Sequence, residues 1–464
     1  MPEIGTETSP IRVAIIGSGP AGFYTVSNFF KQKELSVELD MYDRLPSPFG
    51  LVRAGVAPDH QKDKSVIRAY DKSAANPNYR FFGNVEYGTH VMLEDLKEHY
   101  HQVIFTTGAP VDRNLEIPGE DLTGSYSATE FVAWYNGHPD FAHLSFDLSQ
   151  ESVAIVGMGN VAMDVARILS KTPKELESTD IADYAFKNLL ESKVKNIYLL
   201  GRRGPAQAAF TPPEIKELGE LYDTEVTVRR DEANLDPASI EYINNNPDKN
   251  VEKNIGYIAK YAGRERKGKK KLLTIRFLVS PVGMIGKANK LVAVKLVKNE
   301  AFKSNDGSVR PRSTGEFEEL PVGLLFRSVG YRGLPLPGVP FHEDWGTIEN
   351  RQGRVCNGDG EILQGLYTAG WIKRGATGVI GTNKTCAQET VECMVEDLHA
   401  GKLFSREIST RDELSGFIRA RQPRVITYED WKKIDAAEIT KGAAENRPRV
   451  KFTSVEEMLS ILDP

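Results

Sequence analysis

The sequence contains only three cysteines in 464 residues, Cys356, Cys386 and Cys393. This number is too small for a disulfide framework, and a protein-ligated iron–sulfur cluster needs about four thiolates. There is also no Cys-x-x-Cys pair, so the chain has no equipment for thioredoxin-type dithiol chemistry. We therefore predict neither a redox disulfide nor a metal site.

The sequence also lacks long apolar runs and an excess of positive charge. No apolar run approaches the roughly 18 residues needed to cross a bilayer. Lys plus Arg count 59 against 64 for Asp plus Glu, and this net charge of −5 argues against non-specific nucleic-acid binding. The first ten residues contain neither the basic region and apolar core of a secretory signal nor the basic character of a transit peptide. We expect a cytoplasmic enzyme without membrane insertion, and we expect it to be a monomer.

Near the N-terminus, the sequence has the pattern of a strand, a glycine loop, a helix and a second strand. A short β-branched strand, Ile11–Ile16, runs into the loop Gly17-Ser-Gly19-Pro-Ala21-Gly22, a strict G-x-G-x-x-G. A helix from about Ala21 to Lys31 and a strand at Val37–Tyr42 complete a βαβ unit, and Asp43 follows at the strand end.

Each residue of this first loop suits a dinucleotide. Gly17 permits the tight turn, Gly19 lets the backbone approach a pyrophosphate, and Gly22 allows close packing of helix and strand. An acid at Asp43 would accept a hydrogen bond from an adenosine ribose 2′-hydroxyl. The pattern predicts a nucleotide site with a free 2′-hydroxyl; the alternative is a purely structural glycine turn.

A second unit repeats the pattern with a different ending. The strand Ser152–Val156 runs into Gly157-Met158-Gly159-Asn160-Val161-Ala162, and a helix to about Leu169 and the strand Ile197–Leu200 follow. This second strand ends in Arg202 and Arg203, without an acid. Arginine binds phosphate oxygens bidentately, so the pair suits the ribose 2′-phosphate of NADP. The alternative is a solvated arginine pair at a strand end.

Two unequal dinucleotide sites in one chain indicate a flavoprotein. One site would hold FAD and the other NADPH, which delivers hydride to the flavin. Because the chain has no redox dithiol and no metal cluster of its own, the electrons must then leave to an outside acceptor.

The rest of the chain carries fewer signals. Residues 171–193 are polar and helix-prone, and the basic run at residues 264–271 precedes a predicted strand at Leu272–Val279. The last sixty residues alternate charged and apolar positions, with a predicted terminal helix over Val455–Leu462. Their role is not evident from the sequence.

Five motifs resemble the adrenodoxin-reductase-like ferredoxin–NADP reductases in order and spacing over about residues 10–400. They are Leu45-Pro-Ser-Pro-Phe-Gly-Leu-Val-Arg-Ala-Gly-Val-Ala-Pro-Asp-His60, Phe81-Phe-Gly-Asn-Val85, Gly159-Asn-Val-Ala-Met-Asp-Val-Ala-Arg167, Gly201-Arg-Arg-Gly-Pro205 and Gly370-Trp-Ile-Lys-Arg-Gly-Ala-Thr-Gly-Val-Ile-Gly-Thr-Asn-Lys384. The last motif is the most specific. The expected absence of a targeting peptide makes the chain most similar to the bacterial members.

The resemblance implies an α/β fold of two doubly wound dinucleotide-binding domains, with the NADP domain inserted into a discontinuous FAD domain. We place the FAD domain at residues 1–110 and 335–464, the latter including a C-terminal extension, and the NADP domain at residues 111–334. The implied activity is that of an FAD-containing ferredoxin–NADP(+) reductase, which couples hydride transfer from NADPH to single-electron transfer with ferredoxin.

The resemblance also implies which residues contact the cofactors. The implied FAD contacts are Ala21, Asp43, Leu51, Val85 to Tyr87, Trp371, Gly378, Val379 and Ile380. The implied NADP(H) contacts are Arg113, Met158 to Val161, Arg202, Arg203, Glu214 and Gly378. Asp43 is a departure, since the family more often has glutamate there. Trp371 stands where the wider group commonly has an aspartate.

His60 and Glu214 are the candidate catalytic residues. The family places both near the nicotinamide and the flavin, where they could manage protons during flavin reduction. Hydride transfer itself needs no acid or base, and a structural role is the alternative for both.

The segment from Thr377 to Gly381 resembles an amide-rich helix start, which would stabilise negative charge on a reduced flavin; an ordinary glycine-rich turn is the alternative.

Ferredoxins are small and acidic, so the resemblance implies a basic docking surface. The candidates are the run at residues 264–271, in which Arg264, Arg266, Lys267 and Lys269 to Lys271 are basic, and the cleft residues Lys373 and Arg374.

Two other classes share the glycine loops. One is another NADPH-dependent flavoprotein, a monooxygenase or a glutamate-synthase-like electron-input subunit; the other is a non-enzymatic redox sensor that binds both cofactors without turnover.

Overall fold

The computed structural model describes residues 4–404 and 409–463. The first three residues of the N-terminal stretch analysed above therefore lie outside the described residues. The chain divides into two compact units. Unit 1 comprises the described residues of Met1–Val111, Asn136–Asp140 and Tyr331–Pro464, and unit 2 comprises Asp112–Tyr135 and Phe141–Gly330. The sequence predicted an inserted segment over residues 111–334.

The strands of the described chain are numbered in chain order. They are β1 Ile11–Ile16, β2 Val37–Tyr42, β3 Tyr79–Phe82, β4 Gln102–Phe105, β5 Val111–Asp112, β6 Ser125–Ser127, β7 Ser152–Val156, β8 Asn196–Leu200, β9 Thr224–Val228, β10 Lys271–Arg276, β11 Val279–Lys287, β12 Lys290–Lys303, β13 Val309–Pro321, β14 Leu324–Arg327, β15 Tyr331–Arg332, β16 Phe341–His342, β17 Thr347–Ile348, β18 Asn350–Arg351, β19 Arg354–Cys356 and β20 Ile362–Thr368.

The α-helices are numbered in the same way. They are α1 Pro20–Phe29, α2 Leu51–Ala54, α3 Gln61–Lys64, α4 Ile67–Ala74, α5 Leu93–His99, α6 Ala128–Tyr135, α7 Asn160–Ser170, α8 Pro173–Leu176, α9 Asp183–Leu190, α10 Pro212–Leu218, α11 Pro237–Asn245, α12 Lys249–Ala262, α13 Trp371–Arg374, α14 Thr382–His399, α15 Arg411–Arg421, α16 Tyr428–Ala444 and α17 Val455–Ser460. Among these described helices, none combines the length and the apolar composition that a membrane span requires.

Unit 1 is built on a seven-stranded sheet with the order β18-β19-β20-β4-β1-β2-β3. The five strands from β20 to β3 are parallel, and β18 and β19 extend the edge antiparallel. Every residue of β1 is buried, as expected of a central parallel strand with both faces covered. The sheet therefore brings the carboxyl ends of β1 and β2, where the first glycine loop and Asp43 follow, to the same edge.

The C-terminal helices belong to the core of unit 1. Trp431 and Ile434 of α16 are buried in one apolar cluster with β1 and α1, and Leu414 of α15 is buried in the other. Glu438 of α16 is 0% exposed and forms a two-pronged ion pair with Arg53 of α2. The last fifty residues thus pack on the segment that follows the first glycine loop.

Unit 2 has a six-stranded parallel sheet with the order β6-β14-β7-β8-β10-β9. Its main apolar cluster lies between this sheet and the helices α6, α7, α10 and α12. A separate antiparallel sheet, β11-β12-β13, follows β10 directly. A smaller cluster, which includes Val279, Val294 and Leu325, joins this antiparallel sheet to the parallel one.

Three elements end earlier than predicted. The strand predicted over Leu272–Val279 ends at Arg276, because Leu278 adopts φ 55° and Val279 begins β11. The terminal helix ends at Ser460, two residues before the predicted Leu462. Helix α1 ends at Phe29, where the i→i−4 bonds give way to a turn in which the Gln32 N–H donates to the Phe29 carbonyl oxygen.

Candidate functional site

The first glycine loop joins β1 to α1 in unit 1. Gly17 has φ +104°, and a Cβ there would lie 2.8 Å from the Thr106 carbonyl oxygen, so this turn requires glycine. Gly19 is the N-cap of α1. A Cβ added there would lie more than 4 Å from every described atom except those of its chain neighbours. The loop therefore leaves open space at a helix N-terminus, where backbone amides favour phosphate. At Gly22, in contrast, a Cβ would collide with the Gly17 carbonyl oxygen.

Asp43 lies beside this loop at the carboxyl end of β2. Its Oδ2 accepts hydrogen bonds from the Ser18 N–H (2.9 Å) and the Ser18 hydroxyl (2.5 Å). Its Oδ1 accepts one from the Leu45 N–H at 3.0 Å. A carboxylate offers about four acceptor positions, so the group is oriented by the protein and retains capacity for a ribose hydroxyl.

The segment after Asp43 turns back toward the glycine loop. A Cβ at Gly50 would lie 3.0 Å from the Cα of Gly19, so this close approach also depends on glycine. Leu51, which begins α2, is 41% exposed. The Val85 N–H donates to the Asp43 carbonyl oxygen at 2.9 Å. The structure therefore brings the backbones of Gly19, Asp43, Gly50 and Val85 into one neighbourhood.

The Tyr87 side chain is more buried than that of an open cofactor contact would be. Its hydroxyl donates to the Pro337 carbonyl oxygen, and its ring packs edge-on against Phe105 at 5.3 Å between centroids. Burial, with a smaller effect from Glu94, raises the pKa of Tyr87. The side chain is therefore a neutral hydrogen-bond donor to the protein itself.

The motif that begins at Gly370 lies against the first glycine helix. A Cβ at Gly370 would come within 2.6 Å of the Ala21 Cβ, which places the start of α13 beside α1. Trp371 is half-buried, and its indole N–H donates to the Thr377 carbonyl oxygen at 3.2 Å. The Trp371 ring lies 5.6 Å from that of Tyr331.

Residues 377–381 form an exposed loop that Arg374 holds in place. The Arg374 guanidinium donates to the Thr377 carbonyl oxygen (2.6 Å), to the Thr382 hydroxyl and to the Asn383 side-chain oxygen (both 3.1 Å). The helix α14 begins only at Thr382, after this loop. Gly378 and Val379 are exposed, and Ile380 packs on the unit 1 core.

The second glycine loop repeats this geometry in unit 2. Gly157 has φ +140°, and a Cβ there would collide with the Ser328 carbonyl oxygen. A Cβ added at Gly159, the N-cap of α7, would likewise lie more than 4 Å from every described atom except those of its chain neighbours. The Asn160 side-chain oxygen accepts from the Thr211 N–H, and the Met158 carbonyl from the Ala209 N–H, each at 2.9 Å. Val161 is half-buried in the first turn of α7.

Arg202 and Arg203 follow β8 and are both exposed. Among the described residues, no carboxylate lies within 4.0 Å of either guanidinium. Partial burial and the positive charge of Arg202 lower the pKa of Arg203 from its ordinary value. Two neighbouring cations without a countercharge favour an anion with several oxygens, such as a phosphate monoester.

Glu214 lies in the first turn of α10, and Arg167 of α7 holds it. Arg167 is 2% exposed; its Nη1 lies 2.9 Å from Glu214 Oε2, and its Nη2 lies 2.5 Å from Asp164 Oδ1. Arg167 belongs to one of the five sequence motifs, but no role could be predicted for it from the sequence. The available signal was a single cation on the buried side of α7, between Ala166 and Ile168.

The remaining candidates, His60 and Arg113, lie in different units. His60 caps α3 in unit 1, with Nδ1 3.8 Å from Asp63 Oδ2. Arg113 in unit 2 is exposed, and its N–H donates to the Gly330 carbonyl oxygen at 3.0 Å. The predicted roles of His60 and Arg113 stay predictions.

The basic run at residues 264–271 is bonded to residues 223–225, and two of its six cations, Arg266 and Lys270, pair with carboxylates there. Glu225 accepts hydrogen bonds from the Lys267 and Lys269 N–H groups and from Arg266. Lys270 pairs with Asp223, and Lys271 donates to the Leu169 carbonyl oxygen. These contacts favour the structural alternative for this run over a docking surface.

The cleft candidates for docking are also engaged. The Lys373 side chain is 7% exposed and pairs with Glu389, and Arg374 holds its own loop as described. Neither side chain extends freely into solvent.

Two parallel α/β sheets, each with a glycine loop at a strand's carboxyl end, define a protein with two dinucleotide-binding folds. Residues 11–199 match the family model described as pyridine nucleotide-disulphide oxidoreductase. The three cysteines are free and buried.

The chain is 43% identical to NADPH-ferredoxin reductase FprA of Mycobacterium tuberculosis, over 97% of this chain and 99% of the relative. It is 38% identical to the mitochondrial NADPH:adrenodoxin oxidoreductase of Arabidopsis thaliana, over 97% and 95%. The solved structure of Mycobacterium tuberculosis FprA in complex with NADPH superimposes with a TM-score of 0.91 at 42% identity, covering 97% of this chain and 99% of that one. The chain belongs to the adrenodoxin-reductase-like ferredoxin–NADP reductase family, as the motifs predicted.

Proposed function

We propose that this chain is an FAD-containing NADPH–ferredoxin reductase. The observation that carries the proposal is the difference between the two glycine-loop sites. In unit 1 a carboxylate, Asp43, follows the strand after the glycine helix, whereas in unit 2 Arg202 and Arg203 follow it. The relative named NADPH-ferredoxin reductase, 43% identical over nearly the full chain, supports the same assignment.

The residues of unit 1 fit FAD. The clear space at Gly19 suits a pyrophosphate at the N-terminus of α1, and the oriented Asp43 carboxylate suits a ribose diol. Leu51, Val85 and the Gly370–Trp371 backbone would enclose the rest of the cofactor. Its flavin ring would meet the loop at residues 378–380, where Gly378, Val379 and Ile380 supply backbone amides.

The residues of unit 2 fit NADP(H). The clear space at Gly159, the N-cap of α7, suits the pyrophosphate; Met158 precedes this cap, and Asn160 and Val161 form the first turn of the helix. Arg202 and Arg203 suit the 2′-phosphate because their guanidinium groups are two fork-shaped donors. Among the described residues, no carboxylate lies within 4.0 Å to compete for them. Arg113 would supply a further cation.

FAD, when bound, accepts a hydride from NADPH and releases electrons one at a time, which links two-electron to one-electron chemistry. The chain's own residues bind and orient the partners in this reaction. Arg167 fixes the Glu214 carboxylate, whose Oε2 can hold a proton or accept a hydrogen bond from bound nicotinamide. We assign a role in proton handling to His60 of unit 1 as well.

An iron–sulfur ferredoxin is the acceptor that best fits the chain. All three cysteines are free and buried, and burial raises the pKa of Cys356 and Cys393, so these two thiols are poorly suited to form the redox disulfide that would otherwise accept the electrons. The family relatives carry ferredoxin or adrenodoxin in their names. A monooxygenase remains the second candidate because it would share both glycine loops.

The test is NADPH-dependent reduction of cytochrome c in the presence and absence of a [2Fe–2S] or [4Fe–4S] ferredoxin. We expect reduction that requires ferredoxin and that is faster with NADPH than with NADH. NADPH consumption that depends on oxygen and a small organic substrate, with no effect of ferredoxin, would instead identify a monooxygenase. A monomeric state and a cytoplasmic location stay predictions, which size-exclusion chromatography and cell fractionation would test.

A further inference from the structure

The loop that carries Arg202 and Arg203 is bonded to the antiparallel sheet of unit 2 through three consecutive carbonyl groups. The Gly201 carbonyl oxygen accepts from the Val279 N–H at 3.0 Å, and the Arg203 carbonyl oxygen accepts from the Leu278 N–H at 3.2 Å. The Arg202 carbonyl oxygen, between them, accepts from the side-chain amide of Asn299 at 3.0 Å. The three peptide groups that follow Gly201, Arg202 and Arg203 are therefore each fixed by a hydrogen bond.

Asn299 is an unusual residue for its position. It lies in the long strand β12, is only 9% exposed, and follows a shift in the register between β12 and β13. Its second amide hydrogen is donated to the Ser280 hydroxyl at 2.8 Å, and its backbone N–H to the Leu278 carbonyl oxygen at 2.7 Å. A buried amide needs such partners, and this one uses them to connect β11, β12 and the arginine loop.

We propose that Asn299 is a positioning residue for the 2′-phosphate of NADP(H), acting through the Arg202 carbonyl. This inference rests on the proposed function, because it takes Arg202 and Arg203 as the phosphate ligands. The antiparallel sheet β11-β12-β13 then serves as a support for coenzyme specificity.

The physical reason is the repulsion between the two arginines. Like charges held side by side tend to separate, and exposed arginine side chains lose rotamer freedom on binding. A backbone held at three carbonyls fixes where both side chains leave the chain. The two side chains therefore lose less conformational entropy when the phosphate binds.

The experiment compares two fragments of the coenzyme by calorimetric titration of the FAD-loaded protein. The probe 2′,5′-ADP carries the 2′-phosphate, and 5′-AMP does not. The variants are Asn299→Ala and, as a second variant suited to a strand, Asn299→Thr. Ser280→Ala is the matched control because it removes only the other hydrogen-bond partner of the same amide. Arg202→Ala with Arg203→Ala is the reference for loss of the phosphate site.

We expect both Asn299 variants to weaken 2′,5′-ADP binding by about fivefold to tenfold, the effect of one lost hydrogen bond to an ordered loop. Binding of 5′-AMP and the binding properties of the Ser280 variant should change less than about twofold. If the Asn299 variants weaken both probes equally, or neither, while the double arginine variant is selective, the positioning role is wrong. If the double arginine variant itself is not selective, the 2′-phosphate assignment fails first.

Discussion

Arg167 and Glu214 form an ion pair within unit 2 that connects the helix after the second glycine loop to α10, with 2.9 Å between Nη1 and Oε2. Arg167 is 2% exposed and also pairs with Asp164, so a single buried cation holds two carboxylates in a fixed arrangement. Removing one partner from such a pair leaves buried charge without compensation.

Arg167→Met should therefore lower the free energy of unfolding by about 3 kcal/mol at pH 7, whereas Arg167→Lys should retain part of the stability. The loss should shrink toward pH 5, because the carboxylates left behind can then be neutralised by protons. Denaturant unfolding at both pH values measures this. An Arg167→Met variant as stable as the natural chain would contradict the structural role.

Glu214→Gln should preserve the fold, since the amide oxygen can still accept from Arg167. Turnover of NADPH should fall by less than about tenfold, because hydride transfer needs no acid or base, but the pH profile of turnover should change if Oε2 handles a proton. Glu217→Gln is the matched control, because Glu217 lies 3.8 Å from the same arginine but is 42% exposed. An unchanged profile would leave Glu214 with a structural role only.

The double variant Arg202→Ala and Arg203→Ala should raise the KM for NADPH by about a hundredfold while sparing NADH, since it removes charge-assisted hydrogen bonds to a group that only NADPH carries. Steady-state kinetics with both coenzymes measure the difference. The exposed pair Arg310 and Arg312 of β13, changed to alanine, is the control for lost surface charge. Equal effects on NADPH and NADH would contradict the assignment.

Glu438 provides a pH-dependent test of the C-terminal helices. Burial opposes its ionisation, but Arg53, Arg449 and the Phe452 N–H outweigh it, so the pKa of Glu438 lies below its ordinary value. A depressed pKa contributes stability above the unfolded pKa of about 4.5, and this contribution is lost as the pH falls through the folded value.

Glu438→Gln should therefore destabilise unit 1 by about 3 kcal/mol near neutral pH and flatten the acid-induced loss of stability. Thermal unfolding between pH 7 and pH 4 measures both effects. Glu445→Gln, at the exposed end of the same helix, should change neither. Equal acid sensitivity of the natural chain and the Glu438 variant would contradict this account.

The glycine loops were predictable because their constraints are local. The strands β1, β2 and β7 have the predicted bounds. For β1 and β7, a short β-branched run directly before glycine leaves few alternatives. The acid at Asp43 and the arginines after β8 could be located by counting from those loops.

The supporting contacts were not predictable, because they join residues far apart in the chain. Asn299 meets Arg202 across 97 positions, and Arg53 meets Glu438 across 385. The basic run at residues 264–271 shows the same limit. Its composition suggested a docking surface, and its partners Asp223 and Glu225 are visible only in the folded chain.

The central claim is that unit 1 holds FAD and unit 2 admits NADPH. The most direct measurement is an anaerobic visible spectrum of the purified protein before and after NADPH, followed by addition of an oxidised ferredoxin. The account predicts a flavin spectrum that NADPH bleaches and that oxidised ferredoxin restores. Bleaching without restoration would point to another acceptor, and a colourless protein that FAD cannot reconstitute would contradict the account at its first glycine loop.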